Sequence, residues 1–438
     1  MMRLQVVART MTSGGLRVPG RRWRIAWLLG LGVMVNYVDR VNLSVSQSAL
    51  HADFGISVIT FGYLSSAYNW TYALLQLPVG VWIDRLGVRR VGRVSILIWS
   101  VASFAAALTQ GVRGFFGARL LLGVGEAPTF PSNAKAIASW FPERERGLPT
   151  AIFDAAAKFA PAIGVPLLGV LMVHFGWRLS FATTGVLSLL YFAGFYLVYR
   201  DPGEDAGLSA EEREYIGRGR AAEIASRGAS LWELLRTKKV VGMALGMGAY
   251  NYSFYLLLAW LPSFFSSMPH VDLIHSALYT AIPWIFATTV DVLIGGLLVD
   301  GLIRRGRDAD HVRRWVLVGG TVCGLGLLGA GAGSGMGAAI FWISLSLGGL
   351  ATASPVLWSV PGLIVRGESV GRVGGIANFW GQVSAICAPI ITGYTVARTH
   401  AFTLAFEVAG LYLVVGILAY VFLLGKLERV GGVVWDKG

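Results

Sequence analysis

Charge is what this 438-residue chain has little of: Asp, Glu, Lys and Arg make up 14% of it while 55% is hydrophobic. An ordinary soluble domain is about a quarter charged, so water is excluded as the principal solvent. The only two cysteines, Cys323 and Cys387, each sit in an apolar stretch, which excludes a disulfide framework. None of the six histidines falls in the middle of such a stretch, so a histidine proton relay is excluded too. The chain has no G-x-x-x-x-G-K-[ST] segment, and ATP is therefore not expected to drive it. Nor is any interval between apolar stretches long enough for a soluble domain.

What is there is a recurrence of apolar stretches of about 20 residues, the length of helix that crosses a hydrocarbon core of about 30 Å. Twelve helical spans are predicted, at 24–48, 56–82, 92–111, 115–140, 148–173, 180–199, 240–266, 274–299, 315–333, 337–364, 373–397 and 402–424. The predicted fold is an all-α membrane protein: an N-terminal segment 1–23, a six-helix bundle 24–199, a linker 200–239, a second bundle 240–424 and a tail 425–438. In the linker, Ser209 with Glu212 and Ser230 with Glu233 fit the S-x-x-E capping box, predicting two short helices.

A net charge of +13 raises the question of nucleic acid, which the placement of the charges answers. Of the 37 Lys and Arg residues, 30 lie in the two termini and the even-numbered connections; Arg113, Arg178 and Arg398 lie in the opposite loops. This asymmetry is the positive-inside pattern, so no nucleic-acid partner is needed and both termini are expected in the cytoplasm of a multi-pass inner-membrane protein. The basic N-terminus precedes an apolar stretch too long for a signal peptide and without a small-residue cleavage site.

The two bundles repeat one another. At an offset of about 215 residues Asn36-Tyr37 falls on Asn251-Tyr252, and Gly80, Asp84 and Arg89 fall on Gly296, Asp300 and Arg305. At 224 residues, Asp154 falls on Asn378 and Lys158 on Gln382. Such repeats build a midplane site between two rocking halves. The connection GVWIDRLGVRR from Gly80 fills the signature G-x-x-x-D-R-x-G-R-R with Gly80, Asp84, Arg85, Gly87, Arg89 and Arg90, and its counterpart carries Asp300. On these residues the chain resembles the major facilitator superfamily. There Gly80 lets helices approach, and Asp84 with the arginines latches helix ends; plain solvated charge is the competing reading.

Asp39, Arg40, Arg119 and Glu126 lie inside spans, where four unpaired charges would cost about 10–14 kcal/mol together. They must face a cavity or one another. Counting along the helices places Asp39 and Glu126 at similar depth, with Arg119 two turns from Glu126 on the same face. The second half has Phe254 and Tyr255 where the first has Asp39 and Arg40, so packing symmetry did not require the charges. Mutual neutralisation, Asp39 with Arg40 and Arg119 with Glu126, is the bland alternative. The stretches NYVDRVNLS from Asn36 and RLLLGVGEAPTFPSNAKAIASWFPERERG from Arg119 resemble the anion:cation symporter family of that superfamily. The resemblance implies that Arg40 holds a substrate carboxylate, Asp39 and Glu126 carry the transported proton, and Arg119 tunes them. A carboxylate in such a place gains and loses its proton as water and anion reach it. A forked guanidinium suits a carboxylate ligand.

Lys158 and Asp154, one turn apart, read either as an internal salt bridge or as Lys158 facing the cavity opposite Gln382. Asp291 reads as cavity-facing or as a lysine's partner, and Lys135 as snorkelling. Further cavity candidates are Tyr37, Tyr68, Gln76, Asn251, Tyr252, Tyr255, Trp284, Asn378, Trp380 and Gln382; of these Tyr37, Tyr252, Asn378 and Gln382, with Arg40 and Lys158, form the expected binding set. The aromatic ones read equally as packing or interfacial anchors. Amides and tyrosines suit a polyhydroxylated acid. The expected function is proton-coupled symport of a small organic anion, a sugar acid before an aromatic carboxylate, by a monomer with lipid around it and no cofactor or metal. A sensor that keeps the carrier fold without transport is the alternative of another class.

Overall fold

The computed structural model describes residues 20–142, 145–218, 230–333, 335–365 and 368–430. Most of the expected N-terminal segment, the end of the tail and residues 219–229 of the linker lie outside the described residues. The first half consists of α1 (Arg21–Val45), α2 (Gln47–Phe54), α3 (Val58–Leu108), α4 (Val112–Glu126), α5 (Thr129–Trp140) and α6 (Gly147–Val198). α3 and α6 are each two successive helices separated by a kink at Gly87 and Gly176, whose φ of 77° and 79° belongs to the left-handed side that a side chain disfavours.

Two linker helices follow, α7 (Ala210–Arg218) and α8 (Leu231–Arg236). The second half holds α9 (Lys238–Ser266), α10 (Leu273–Val290) running through a π-helical stretch Asp291–Leu298 into α11 (Val299–Arg304), then α12 (Ala309–Gly324), α13 (Gly326–Gly331), α14 (Met336–Ile364), α15 (Glu368–Thr399) and α16 (Thr403–Leu418).

Six helical stretches among the described residues are long and apolar enough to cross a membrane: Pro78–Leu108, Gly147–Val198, Leu273–Arg304, Ala309–Gly331, Met336–Ile364 and Thr403–Leu424. α1, α4, α9 and α15 miss that standard. α4 is too short for it at 15 residues, and α1, α4 and α15 between them hold the buried Asp39, Arg40, Arg119, Glu126 and Gln382.

Polar contacts tie the halves at mid-depth and on the face opposite the termini. Gln47 bonds Ser263, Tyr63 lies 3.4 Å from Tyr394, and Asn69 donates to the Ala385 carbonyl at 3.4 Å. At Gly62, on that side, a methyl would overlap the Pro389 carbonyl, so α3 and α15 touch there through backbone. Gly80, near the face bearing the termini, has open space instead. Close approach at Gly80, expected from its motif, is absent, since nothing stands within 4 Å of where its Cβ would be. The loop charges bond locally: Asp84 pairs with Lys135, which does not merely snorkel, and Arg89 with Glu204 at 2.6 Å, while Arg85, Arg90 and Asp300 are exposed or partly so.

The linker is anchored to the first half by chemistry at the start of α1. Gly20 offers that helix no side-chain cap, and the orphan N–H groups of Arg21 and Arg22 are met by the Glu212 carboxylate at 3.3 and 3.1 Å. Arg22 closes the contact, its Nη1 3.1 Å from Glu212. Ser209 accepts from the Glu212 N–H, half of the expected capping box; the other half is missing because Glu212 is spent on α1. Ser230 and Glu233 form the whole box. Glu212→Ala should lower stability by about 2–4 kcal/mol and Glu212→Gln, which still accepts from backbone, by about half that, read as the shift of the melting curve in detergent.

Candidate functional site

The centre of α1 presents Asn36, Tyr37, Asp39 and Arg40, all buried. Residues 39 and 40 are adjacent on a helix and so point about 100° apart. That separates two charges the sequence sets side by side. Asp39 turns into its own half, where Ser103 of α3 and Ser188 of α6 donate to its two oxygens at 2.9 Å each. Arg40 turns toward the other half. Its Nε donates to Glu126 at 2.7 Å and its Nη1 to the Tyr255 hydroxyl of α9 at 3.3 Å. The guanidinium stands over the rings of Tyr37, Tyr68 and Tyr72, at 4.5, 4.9 and 5.4 Å.

Glu126 is placed by a helix break. Pro128 cannot donate to the helix ladder, α4 ends at Glu126 and α5 begins at Thr129. The Gly125 carbonyl at the break takes a 2.5 Å bond from the Ser95 hydroxyl. Two turns along α4, Arg119 is 2% exposed and lies 5.0 Å from the Tyr68 ring. The neutralising pairs weighed from sequence do not form: Glu126 is Arg40's partner, and Asp39 has serines.

Several donors in this cluster have no hydrogen-bond partner within the described residues: Nη2 of Arg40, Nε and Nη1 of Arg119 and the Tyr68 hydroxyl. Arg40, Ser65, Tyr68, Arg119 and Tyr255 line a void of about 20 Å³, the space of a single water. Buried donors left over in this number suit an anionic oxygen. A second cavity, about 380 Å³, lies between the halves on the face opposite the termini and is rich in hydroxyls, Ser44, Ser263 and Ser267 among them.

The other expected residues are distributed as follows. Lys158 is claimed by carboxylates, bonding Asp154 at 2.6 Å and Asp291 of the other half at 2.9 Å. Its cross-half neighbour is thus Asp291 and not Gln382, because α6 packs on α10 while α15 packs on α3. Gln382 is buried, its Oε1 without a partner, and Asn378 is half-buried. Tyr252 turns from the centre to pack edge-on against Tyr412 at 5.7 Å; one turn on, Tyr255 takes the place expected of it. Trp380 also turns to Tyr412, 3.0 Å away, and Trp284 packs on Phe254. Among the described residues no group of three or more His, Cys, Asp or Glu could hold a metal ion. Ser103 and Ser188 were missed by sequence reasoning: they lie 64 and 149 residues from Asp39, and a serine in an apolar helix carries no signal of what it faces.

Two half-bundles joined by a docked linker, with buried arginines and carboxylates between them, define a carrier-type membrane protein. The chain belongs to the Major Facilitator Superfamily, whose family model matches residues 29–389. It is similar to the uncharacterized transporter YybO of Bacillus subtilis, 37% identical over 96% of this chain and 98% of that one. A probable L-galactonate transporter of Escherichia coli is 33% identical, over 90% of this chain and 88% of its own. Among solved structures, a D-xylose-proton symporter superposes with a TM-score of 0.74 at 16% identity, over 94% of this chain and 100% of its own, a likeness of fold alone.

The serine pair on Asp39 is open to a thermodynamic cycle. Ser103→Ala and Ser188→Ala should each destabilise by about 1–2 kcal/mol, because each strips a donor from a buried carboxylate. Adding Asp39→Asn should recover part of the loss, since an amide can be buried uncharged. Additive melting shifts with no recovery would separate the serines from Asp39.

Proposed function

We propose that this chain is a proton-coupled symporter of a small sugar acid, of the galactonate or galactarate/glucarate class, working by alternating access in the inner membrane with both termini cytoplasmic. The observation that carries the reading is the buried Arg40, paired with Glu126, stacked on three tyrosines and keeping a free Nη2 donor. An anion that takes hold of Arg40 competes with Glu126 for it, and a displaced buried carboxylate is relieved of its charge by a proton. Binding of anion and proton are then linked without any covalent step. Asp39, held by two serines beside the same cluster, serves as a second proton carrier, and Arg119 supplies positive potential to both.

The relatives support the substrate class through their names: besides the L-galactonate protein, a D-galactonate transporter of Escherichia coli is 29% identical over 94% of this chain. The surplus Lys and Arg on the terminal face supports the orientation. Tyr37, Asn378 and Gln382 are proposed to meet hydroxyl groups. Lys158 is left out of the binding set, because two carboxylates already hold its ammonium. The signature loop is proposed to gate: Asp84 and Arg89 pair with Lys135 and Glu204 near the face bearing the termini, and Gly80 has room for a helix to approach.

Proteoliposomes with labelled galactonate and galactarate under an imposed pH gradient test the function; accumulation that ignores the gradient would refute proton coupling. Arg40→Lys keeps the charge and loses the fork, and should weaken anion binding about 10–100-fold without altering membrane insertion. Near-normal affinity would remove Arg40 from the site. Glu126→Gln should retain exchange of labelled for unlabelled anion and lose gradient-driven accumulation, whereas Asp39→Asn should impair both. Full accumulation by Glu126→Gln would make that glutamate structural.

A further inference from the structure

The charges around Arg40 sum to zero: two arginines, Arg40 and Arg119, face two carboxylates, Asp39 and Glu126. The second buried cluster does not balance. Asp154, Lys158 and Asp291, when all are ionised, hold two negative charges and one positive, with Lys158 and Asp291 almost wholly buried. A surplus charge is what such surroundings tolerate least. The place for its compensator is visible. Asp291 spends Oδ2 on Lys158, while its Oδ1 is buried with no hydrogen-bond partner among the described residues. The two carboxylates are also unequal in position. Asp154 is on Lys158's own helix, one turn away, and its side chain is 23% exposed; Asp291 belongs to the other half.

We infer that Asp291 is a proton-carrying residue of a second coupling site, one that acts on the tie between the halves and not on the anion. Ionised, Asp291 shares Lys158 with Asp154 and bridges α6 to the helix of the other half. When a proton from water adds to its free oxygen, the carboxyl becomes neutral, Lys158 stays charged and keeps Asp154, and the bridge falls from an ion pair to a weaker hydrogen bond from the ammonium to a neutral carboxyl, which sliding helices can give up. Loss of the proton on the other side of the membrane restores the bridge. Lys158 and Asp154 face Asp291 from α6 and Tyr250 of α9 lies within electrostatic reach of the same lysine, while α14, packed at Gly295, brings the uncharged Thr352 and Pro355. Asp291 opens the π-helical stretch, a wide turn of the kind that re-registers locally.

This inference rests on the proton-coupled reading proposed above, and two readouts keep the failures apart. The first needs no transport. Infrared difference spectra of the purified full chain between high and low pH should contain a protonated-carboxyl band that is missing from Asp291→Asn. Asp154→Asn leaves Lys158 and Asp291 as a balanced pair, so there too the band should vanish, because Asp291 remains ionised. The second readout is the accumulation ratio of labelled galactonate against the imposed pH gradient in proteoliposomes, whose slope should fall by about one proton per anion in Asp291→Asn while exchange persists. An unchanged infrared difference in Asp291→Asn, or a wild-type slope, would overturn the assignment; should Asp291→Asn fail to fold, a band that survives in Asp154→Asn would overturn it. A wild-type protein that fails to accumulate galactonate would count against the proposed function, with the infrared titration still deciding Asp291.

Discussion

The ion pair of Arg40 with Glu126 is the contact on which the centre of this molecule depends. A guanidinium and a carboxylate each cost several kcal/mol to take out of water, and within apolar helices only a direct, well-aligned partner offsets that cost. At 2.7 Å they are such partners, and neighbouring features serve them. The break at Pro128 ends α4 where Glu126 must stand, and Ser95 covers a carbonyl at the break. Tyr37, Tyr68 and Tyr72 lend their ring faces to the positive charge. Tyr255 brings the second half to the same guanidinium, so one residue of α1 senses both halves.

That constraint also explains the unequal apolarity of the helices. The stretches Leu273–Arg304 and Thr403–Leu424 have mean hydropathies of 1.9 and 2.2 and leave most of their apolar windows unburied. α1, α4 and α15 carry the buried Asp39, Arg40, Arg119, Glu126 and Gln382, side chains that need partners inside the bundle. Where the halves meet opposite the termini, Gly62 allows backbone contact; near the terminal face Gly80 is left with space. Under the proposed alternating access, small residues near both ends of α3's first limb would let one pair of rigid bundles close on either face.

The fold was legible in the sequence because it is written in lengths: apolar runs, the polar interval near 200–239 and a loop motif that occurs twice. Arg40, Asp39, Glu126 and Arg119 were legible because a charge in a span is costly wherever it points. Their partners were not. Two adjacent residues of a helix diverge by about 100°, so the sequence neighbours Asp39 and Arg40 have no contacts in common, and the serines that hold Asp39 look like any serine in a membrane helix. Tyr252 and Tyr255 differ by less than one turn, yet one faces Tyr412 and the other Arg40, a distinction set by helix rotation and invisible to composition. Comparing the repeats put Lys158 opposite Gln382, but across the interface α6 meets α10 while its counterpart α15 meets α3.

That crossing gives the second cluster its character. Because α6 meets α10, Lys158 meets Asp291, and because Asp154 sits one turn away on α6, the lysine has one partner that travels with it and one that does not. The cluster around Arg40 differs: its four charges belong to α1 and α4, all in one half, and the hydrogen bond from the other half comes from the neutral Tyr255. A change of protonation there alters what the first half offers to an anion, with little direct hold on the second half. A change of protonation at Asp291 alters an attraction between the halves themselves. One neutralisation problem is closed within a half and the other is open across the interface; on the roles proposed above, the first selects the cargo and the second permits the motion.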